Sequence, residues 1–101
     1  MEALTVHVIL YREEEHYVAH CLEFDLVAQG VTTDEAFLSL LDAIDVQAAY
    51  TQETGDLSNL IQPAPSEYWR MLATAERYTP QPDGWTLPAI LSKVDCGLVR
   101  G

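Results

Sequence analysis

Positive charge is what this chain has least of. Its 101 residues hold five Lys and Arg against sixteen Asp and Glu, a formal net charge of −11. Nucleic-acid binding depends on Lys and Arg neutralising phosphates, so a chain this acidic repels nucleic acid and attracts basic partners. Cysteine is scarce too. Cys21 and Cys96 are the whole complement, which suits buried thiols in a reducing compartment better than a disulfide framework. No apolar run approaches a membrane span. Met1-Glu2-Ala3-Leu4 has neither the basic start nor the apolar core of a secretory signal, so a cytoplasmic protein is expected. Metal and phosphate motifs are missing as well: there is no Cys-x-x-Cys, no His-Glu-x-x-His and no phosphate-binding glycine loop. Ser39, Ser58, Ser66 and Ser92 have no nucleophile-elbow context. Neither a metal nor a cofactor is expected, and no internal repeat or low-complexity tract is present.

What is there suits one small domain. Hydrophobic residues make up 49%, enough for a single core and too many for a disordered chain. The charge is unevenly spread. Residues 1–62 carry twelve acids and one base, whereas residues 63–101 carry four of each. The first part therefore holds the entire negative excess.

The first thirty residues alternate with a strand's period. Leu4, Val6, Val8 and Leu10 share one face of a strand. Arg12-Glu13-Glu14-Glu15-His16 reads as a charged turn and Tyr17 to Leu22 as a second strand, forming a hairpin. A turn centred on Glu13-Glu14 puts Tyr17, Ala19 and Cys21 on the face of Leu4 to Leu10, and a three-residue turn would flip them; the first register is preferred. It also sets His7 beside His20. The other face then carries His7, Ile9, Tyr11, Val18 and His20, too apolar for plain solvent, and reads as an interface between copies of the chain in a dimer or larger homo-oligomer. Leu26 to Gln29 forms a third strand, antiparallel to its neighbour because the connection is short.

At Gln29-Gly30-Val31-Thr32-Thr33-Asp34-Glu35-Ala36 the period turns helical. Gly30 suits a strand exit that needs an unusual backbone angle. Thr32 and Glu35 form a capping box, in which the hydroxyl takes an orphan N–H and the carboxylate reaches back to the cap N–H. The helix is expected from about Thr33 to Thr54, with Ala36, Phe37, Leu40, Leu41, Ile44 and Ala48 as its buried stripe and Gly55 as its stop. Beyond it, Asp56 to Ile61 reads as irregular or briefly extended, and Pro63-Ala64-Pro65 interrupts regular structure. Ser66 is placed to cap a second helix from about Glu67 to Tyr78. The stretch Thr79 to Gly84 reads as a linker-like loop. Leu87, Ile90, Leu91 and Val94 have helical spacing, so a last helix is expected from Thr86 to Cys96, with a short strand as its rival.

Candidate chemistry is thin. On a strand, His16 and His20 lie about 13 Å apart and cannot share one ion. Glu23 and Asp25 flank Phe24, but two carboxylates without a third convergent ligand do not make a divalent-cation site. Metal-dependent nuclease chemistry through that pair is a rival reading that the absence of a third ligand disfavours. Tyr68, Trp69 and Trp85 are expected as core or docking anchors, since no basic groove accompanies them. The acids Glu13, Glu14 and Glu15 of the turn, with Asp42 and Asp45 of the helix, are the candidate contacts for a basic protein partner.

The segment Tyr17-Val18-Ala19-His20-Cys21-Leu22-Glu23-Phe24-Asp25, followed by Gly30, Thr32, Glu35 and Ala36, resembles the HicB-like antitoxin family over about Leu4 to Tyr50. Members show a YVAHCPEL-like strand and a GDT-x-EEA helix start. Leu22 stands here at the usual proline and Val31 at the usual acid. The Pro63 to Trp69 stretch also looks like that of short, stand-alone members. The resemblance implies an α+β fold: an antiparallel three-stranded, possibly four-stranded, sheet with one long helix on one face, partially ribonuclease-H-like. The expected layout is a β-β-β-α domain over 1–62, with a helical C-terminal extension over 63–101 packed on the same domain. It implies no catalysis, and it implies binding and inhibition of a small basic HicA-like ribonuclease toxin. Many members add a C-terminal operator-binding domain; the neutral, proline-broken tail here has no basic recognition helix, so operator binding is not expected. The alternative is an orphan homo-oligomeric domain of this type, with no toxin partner.

Overall fold

The order of strands in the sheet explains the rest of the architecture. In the computed structural model, which describes residues 4–55, 60–80 and 85–100, five strands pair in the order β3-β2-β1-β5-β4. They are β1 (Leu4–Glu13), β2 (His16–Cys21), β3 (Leu26–Gly30), β4 (Glu76–Tyr78) and β5 (Leu91–Leu98). Strands β1, β2 and β3 form an antiparallel meander, β5 runs parallel to β1, and β4 returns antiparallel to β5. The fold is α+β with a mixed five-stranded sheet, not the antiparallel three- or four-stranded sheet expected from the sequence.

The hairpin keeps the expected faces with a shifted register. Leu10 pairs with Ala19 and Val8 with Cys21, so the turn centres on Glu14-Glu15, one residue later than expected. A shift of two in the pairing preserves which side each residue faces, because the side-chain period is two. It does move Ile9, not His7, opposite His20. Glu14 takes a left-handed φ of 56° in this turn.

Helix α1 (Thr33–Thr54) covers one face of the sheet. Its buried residues are Ala36, Phe37, Leu40, Leu41, Ile44, Ala48 and Thr51, the expected stripe plus one threonine. The six apolar ones meet Val6, Val8, Leu10, Ala19, Cys21 and Phe24 in the main core. Thr32 Oγ1 accepts from the N–H of Glu35 at 3.1 Å, as a capping box requires. The Glu35 carboxylate reaches back one residue further than expected, accepting from Val31 N–H at 3.0 Å. Gly55, with φ 148°, ends the helix and donates to Thr51 O.

Gly30 has a different role from the one its sequence context suggested. It carries no positive φ; a Cβ there would lie 2.4 Å from Ala36 N and 2.7 Å from Glu35 C. The constraint is contact: only a residue without a side chain lets the end of β3 meet the first turn of α1.

The C-terminal segment departs most from the expected helices. Helix α2 covers Ser66–Thr74. Pro65 is its N-cap and Ser66 lies inside its first turn, where Ser66 Oγ accepts from Arg70 Nη2 at 3.3 Å. Ala75 then turns extended, and residues expected to continue the helix form β4. The expected last helix is the strand β5, which begins at Leu91. Val94, Cys96 and Leu98 alternate onto the α1 core, so period-two burial beside β1 prevails over the helical spacing of Leu87, Ile90, Leu91 and Val94. The part of the chain expected as a helical extension thus supplies two strands of the sheet and one helix. The expectations for Asp56–Asn59 and for 81–84 lie outside the described residues.

Candidate functional site

The second face of the sheet carries the polar groups that the sequence singled out. Between β2 and β3 the chain makes a tight connection in which Asp25 adopts φ 52°. Asp tolerates this left-handed region better than most residues. The turn aims both of its carboxylates at histidines. Glu23 Oε1 accepts from the backbone N–H of His7 at 2.7 Å, and Glu23 Oε2 lies 2.6 Å from the His7 ring Nδ1. Asp25 Oδ1 lies 2.7 Å from His20 Nε2. A carboxylate only accepts, so in each pair the ring nitrogen is the donor.

These pairs decide what Glu23 and Asp25 are occupied with. Each carboxylate ties the β2–β3 turn to a histidine instead of converging with the other on one point. Among the described residues, no three His, Cys, Asp or Glu side chains are grouped to hold a metal ion. His7 Nε2 faces Asp95 at 3.8 Å, and Lys93 reaches the same aspartate at 3.4 Å. His20 is buried, and its Nδ1 has no hydrogen-bond partner among the described residues.

The cover over this face comes from the same chain. The segment before α2 and α2 itself lie across it: Ala64 N–H donates to Leu22 O, and Trp69 Nε1 donates to Ala64 O at 3.0 Å. Tyr68 meets His20 edge-on at 4.5 Å between centroids, and Trp69 tilts over His7 at 6.2 Å. Ile9, Leu22 and Ala64 form a second small core, with Tyr11, Tyr68, Trp69, Met71, Leu72 and Val99 packed around it. Of the residues assigned by sequence to a contact between copies, Ile9, Val18 and His20 are buried within the single chain, while His7 and Tyr11 are part-exposed. Burial, then Tyr68 and Glu13, push the Tyr11 hydroxyl above its ordinary value.

A cleft of about 630 Å³ follows β5 and the end of β4. His7, Arg77, Lys93 and Asp95 line it with Leu72 and Trp85. Two of the five Lys and Arg residues of the chain lie here.

The acids assigned to a basic partner are all exposed but do not form one cluster. Glu13, Glu14 and Glu15 lie at the hairpin tip. Gly30 pairs with Tyr17, so this tip is at the end of the sheet where α1 starts. Asp42 and Asp45 follow along the helix, about 14 to 18 Å from its first residue at 1.5 Å per residue. Asp34 and Glu35 in the first turn stand between the two groups. Across all of α1 there are five acids and no Lys, Arg or His.

One feature of this surface escaped the sequence reading. Leu38, Val46 and Tyr50 are exposed on α1, the last two by 65% and 60%. With Asp42 they repeat every four residues opposite the buried stripe, a spacing that places them on one side of a helix. The signal was present as apolar residues outside the i, i+3, i+4 set. Compared with protein-family models, with curated proteins and with solved structures, the chain matches none of them.

Proposed function

We propose that this chain is a protein-binding domain of the HicB antitoxin type, which masks a small basic protein, a HicA-like ribonuclease, and performs no catalysis itself. The observation that carries the reading is the solvent face of α1. It presents Asp42, Asp45 and Glu53 around exposed Leu38, Val46 and Tyr50, without a single base on the helix. Glu–Lys pairs stabilise the exposed surface of a helix by a few tenths of a kcal/mol each, about 0.2–0.5, and this helix has none. Its last turn carries Glu53 and no base, against the preference of the helix dipole. A basic surface laid on this face would neutralise both disadvantages while covering the apolar side chains. Asp34, Glu35 and the Glu13-Glu14-Glu15 tip extend the negative field toward one end and steer the approach.

The β-β-β-α order of residues 4–55 agrees with what the resemblance implies, and the sheet supports the acidic helix from beneath. The test is titration of the full chain into a purified HicA-like ribonuclease, with RNA cleavage as readout. Inhibition should be strong at low salt and weaken steeply as salt rises. Asp42→Lys with Asp45→Lys should relieve inhibition while leaving the circular dichroism spectrum intact. Binding that ignores both salt and these charge reversals would sink the proposal.

A further inference from the structure

Four of the five bases in this chain have partners. Arg100 pairs with Glu76 at 3.0 Å and Lys93 with Asp95 at 3.4 Å. Arg12 and Arg70 donate to Glu14 O and to Ser66 Oγ. Arg77 has neither an ion pair nor a hydrogen bond among the described residues. With sixteen acids against five bases, a cation left unanswered stands out, and this one lines the cleft of about 630 Å³.

The sheet explains how the cleft forms. Strand β4 pairs with β5 only over Cys96 to Leu98, and among the described residues no strand continues along β5 beyond Tyr78. The cleft follows the stretch of β5 left open there. Lys93 and Asp95 share one face of β5 by the period of two. Arg77 is paired opposite Gly97 and so lies on that same face. Trp85 enters from the side of α1, edge-on to Phe37 at 5.1 Å. Its Nε1 has no acceptor among the described residues, unlike that of Trp69.

We propose that this cleft binds a small organic monocarboxylate with an apolar, ring-sized body. Its volume falls in the range of small-molecule sites, about 300–1,000 Å³. The Arg77 guanidinium is a planar fork that matches a carboxylate, and Trp85 and Leu87 supply apolar lining. Charge selects a single negative group. Lys93 is answered by Asp95 and His7 by Glu23, which leaves Arg77 as the one uncompensated cation among the described residues of the cleft. A second negative charge on the ligand would face Asp95 and a chain of net charge −11. The site is separate from the solvent face of α1, so its test is independent of the basic partner.

The probe is phenylacetate, titrated into the nitrogen-15-labelled full chain and followed by amide and indole N–H resonances. It should bind in the millimolar range and shift the Trp85 indole N–H together with the β5 amides from Ser92 to Gly97. Phenylacetamide, neutral and of the same shape, should bind about tenfold more weakly, and so should phenylacetate to Arg77→Gln, because each loses a hydrogen bond between charged groups. Arg77 is exposed on an edge strand, so this variant should fold. Arg70→Gln, outside the cleft, should leave the affinity unchanged. Asp95→Asn frees Lys93 and should tighten binding. Resonances that do not move, that move outside the cleft, or that respond equally to phenylacetamide overturn the proposal. So does an affinity indifferent to Arg77→Gln. Tighter binding of phenyl phosphate than of phenylacetate would reassign the cleft to phosphate monoesters, and equally overturns it.

Discussion

Gly97 passes beneath Ala75: a Cβ built on Gly97 would lie 2.7 Å from the Cβ of Ala75. This is the point where β5, buried between β1 and β4, runs under the end of α2. The helix can rest on the sheet there because the strand presents no side chain. Gly97→Ala should therefore push α2 and β4 away from β5 and cost about 1–3 kcal/mol, as overpacked cores do. Urea unfolding would read this as a lowered midpoint. A midpoint equal to that of the parent chain would mean that α2 accommodates the methyl group freely.

Gly30→Ala should be worse. At Gly97 the obstacle is one side-chain methyl, whereas at Gly30 it is the backbone of Glu35 and Ala36. Backbone in the first turn of a capped helix cannot move without losing the cap. The expected loss exceeds that of Gly97→Ala and includes part of the contribution of the Thr32 cap, itself about 0.5–2 kcal/mol. Comparing Gly30→Ala, Thr32→Ala and the double variant by urea unfolding should show smaller than additive losses.

Glu14 and Asp25 share a backbone conformation but should respond oppositely to glycine. Both have φ above 50°. Glu14 is exposed in the hairpin turn, and Glu14→Gly should relieve the left-handed strain and stabilise by about 0.5–1 kcal/mol. Asp25→Gly relieves the same strain but strips buried His20 of its partner at 2.7 Å. An unsatisfied buried polar group costs about 1–3 kcal/mol, so the net effect should be destabilising. Asp25→Asn keeps both the turn preference and a carbonyl acceptor and should lie between the two. Thermal unfolding of the three variants checks the order.

Cys21 and Cys96 both pair opposite Val8, one on each side of β1. Two strand spacings place their Cα atoms about 10 Å apart, beyond disulfide reach. Burial pushes both thiols up to about 12 from an ordinary 9.0. Both should resist thiol reagents at neutral pH in the folded protein and react in denaturant. The sign of the pH effect follows from the same shift. The unfolded chain releases the thiol protons near pH 9 while the folded chain retains them to about 12. Their contribution to stability is therefore complete below pH 9 and lost progressively as pH rises from 9 to 12. Denaturation midpoints measured across that range, for the parent chain and for Cys21→Ala with Cys96→Ala, should separate this loss from other alkaline titrations.

The meander and the long helix are legible in the sequence, because both rest on local periods and on short-range chemistry. The alternation of Leu4 to Leu10 and the stripe from Ala36 to Ala48 each declare one buried face. Thr32 and Gly55 then mark where the helix starts and stops. The acidic excess that motivates a basic partner was equally legible, since charge counts need no coordinates. What lies over His7, Ile9, Tyr11 and His20 was not legible there, because α2 is brought to that face from more than forty residues away along the chain. Long-range contact also makes residues 91–98 a strand. Leu87 to Val94 satisfy a helical period, but β1 has a second edge to fill, and parallel pairing along it outweighs local preference. The same pairing order leaves β3 at the rim of the sheet, with Val27 exposed.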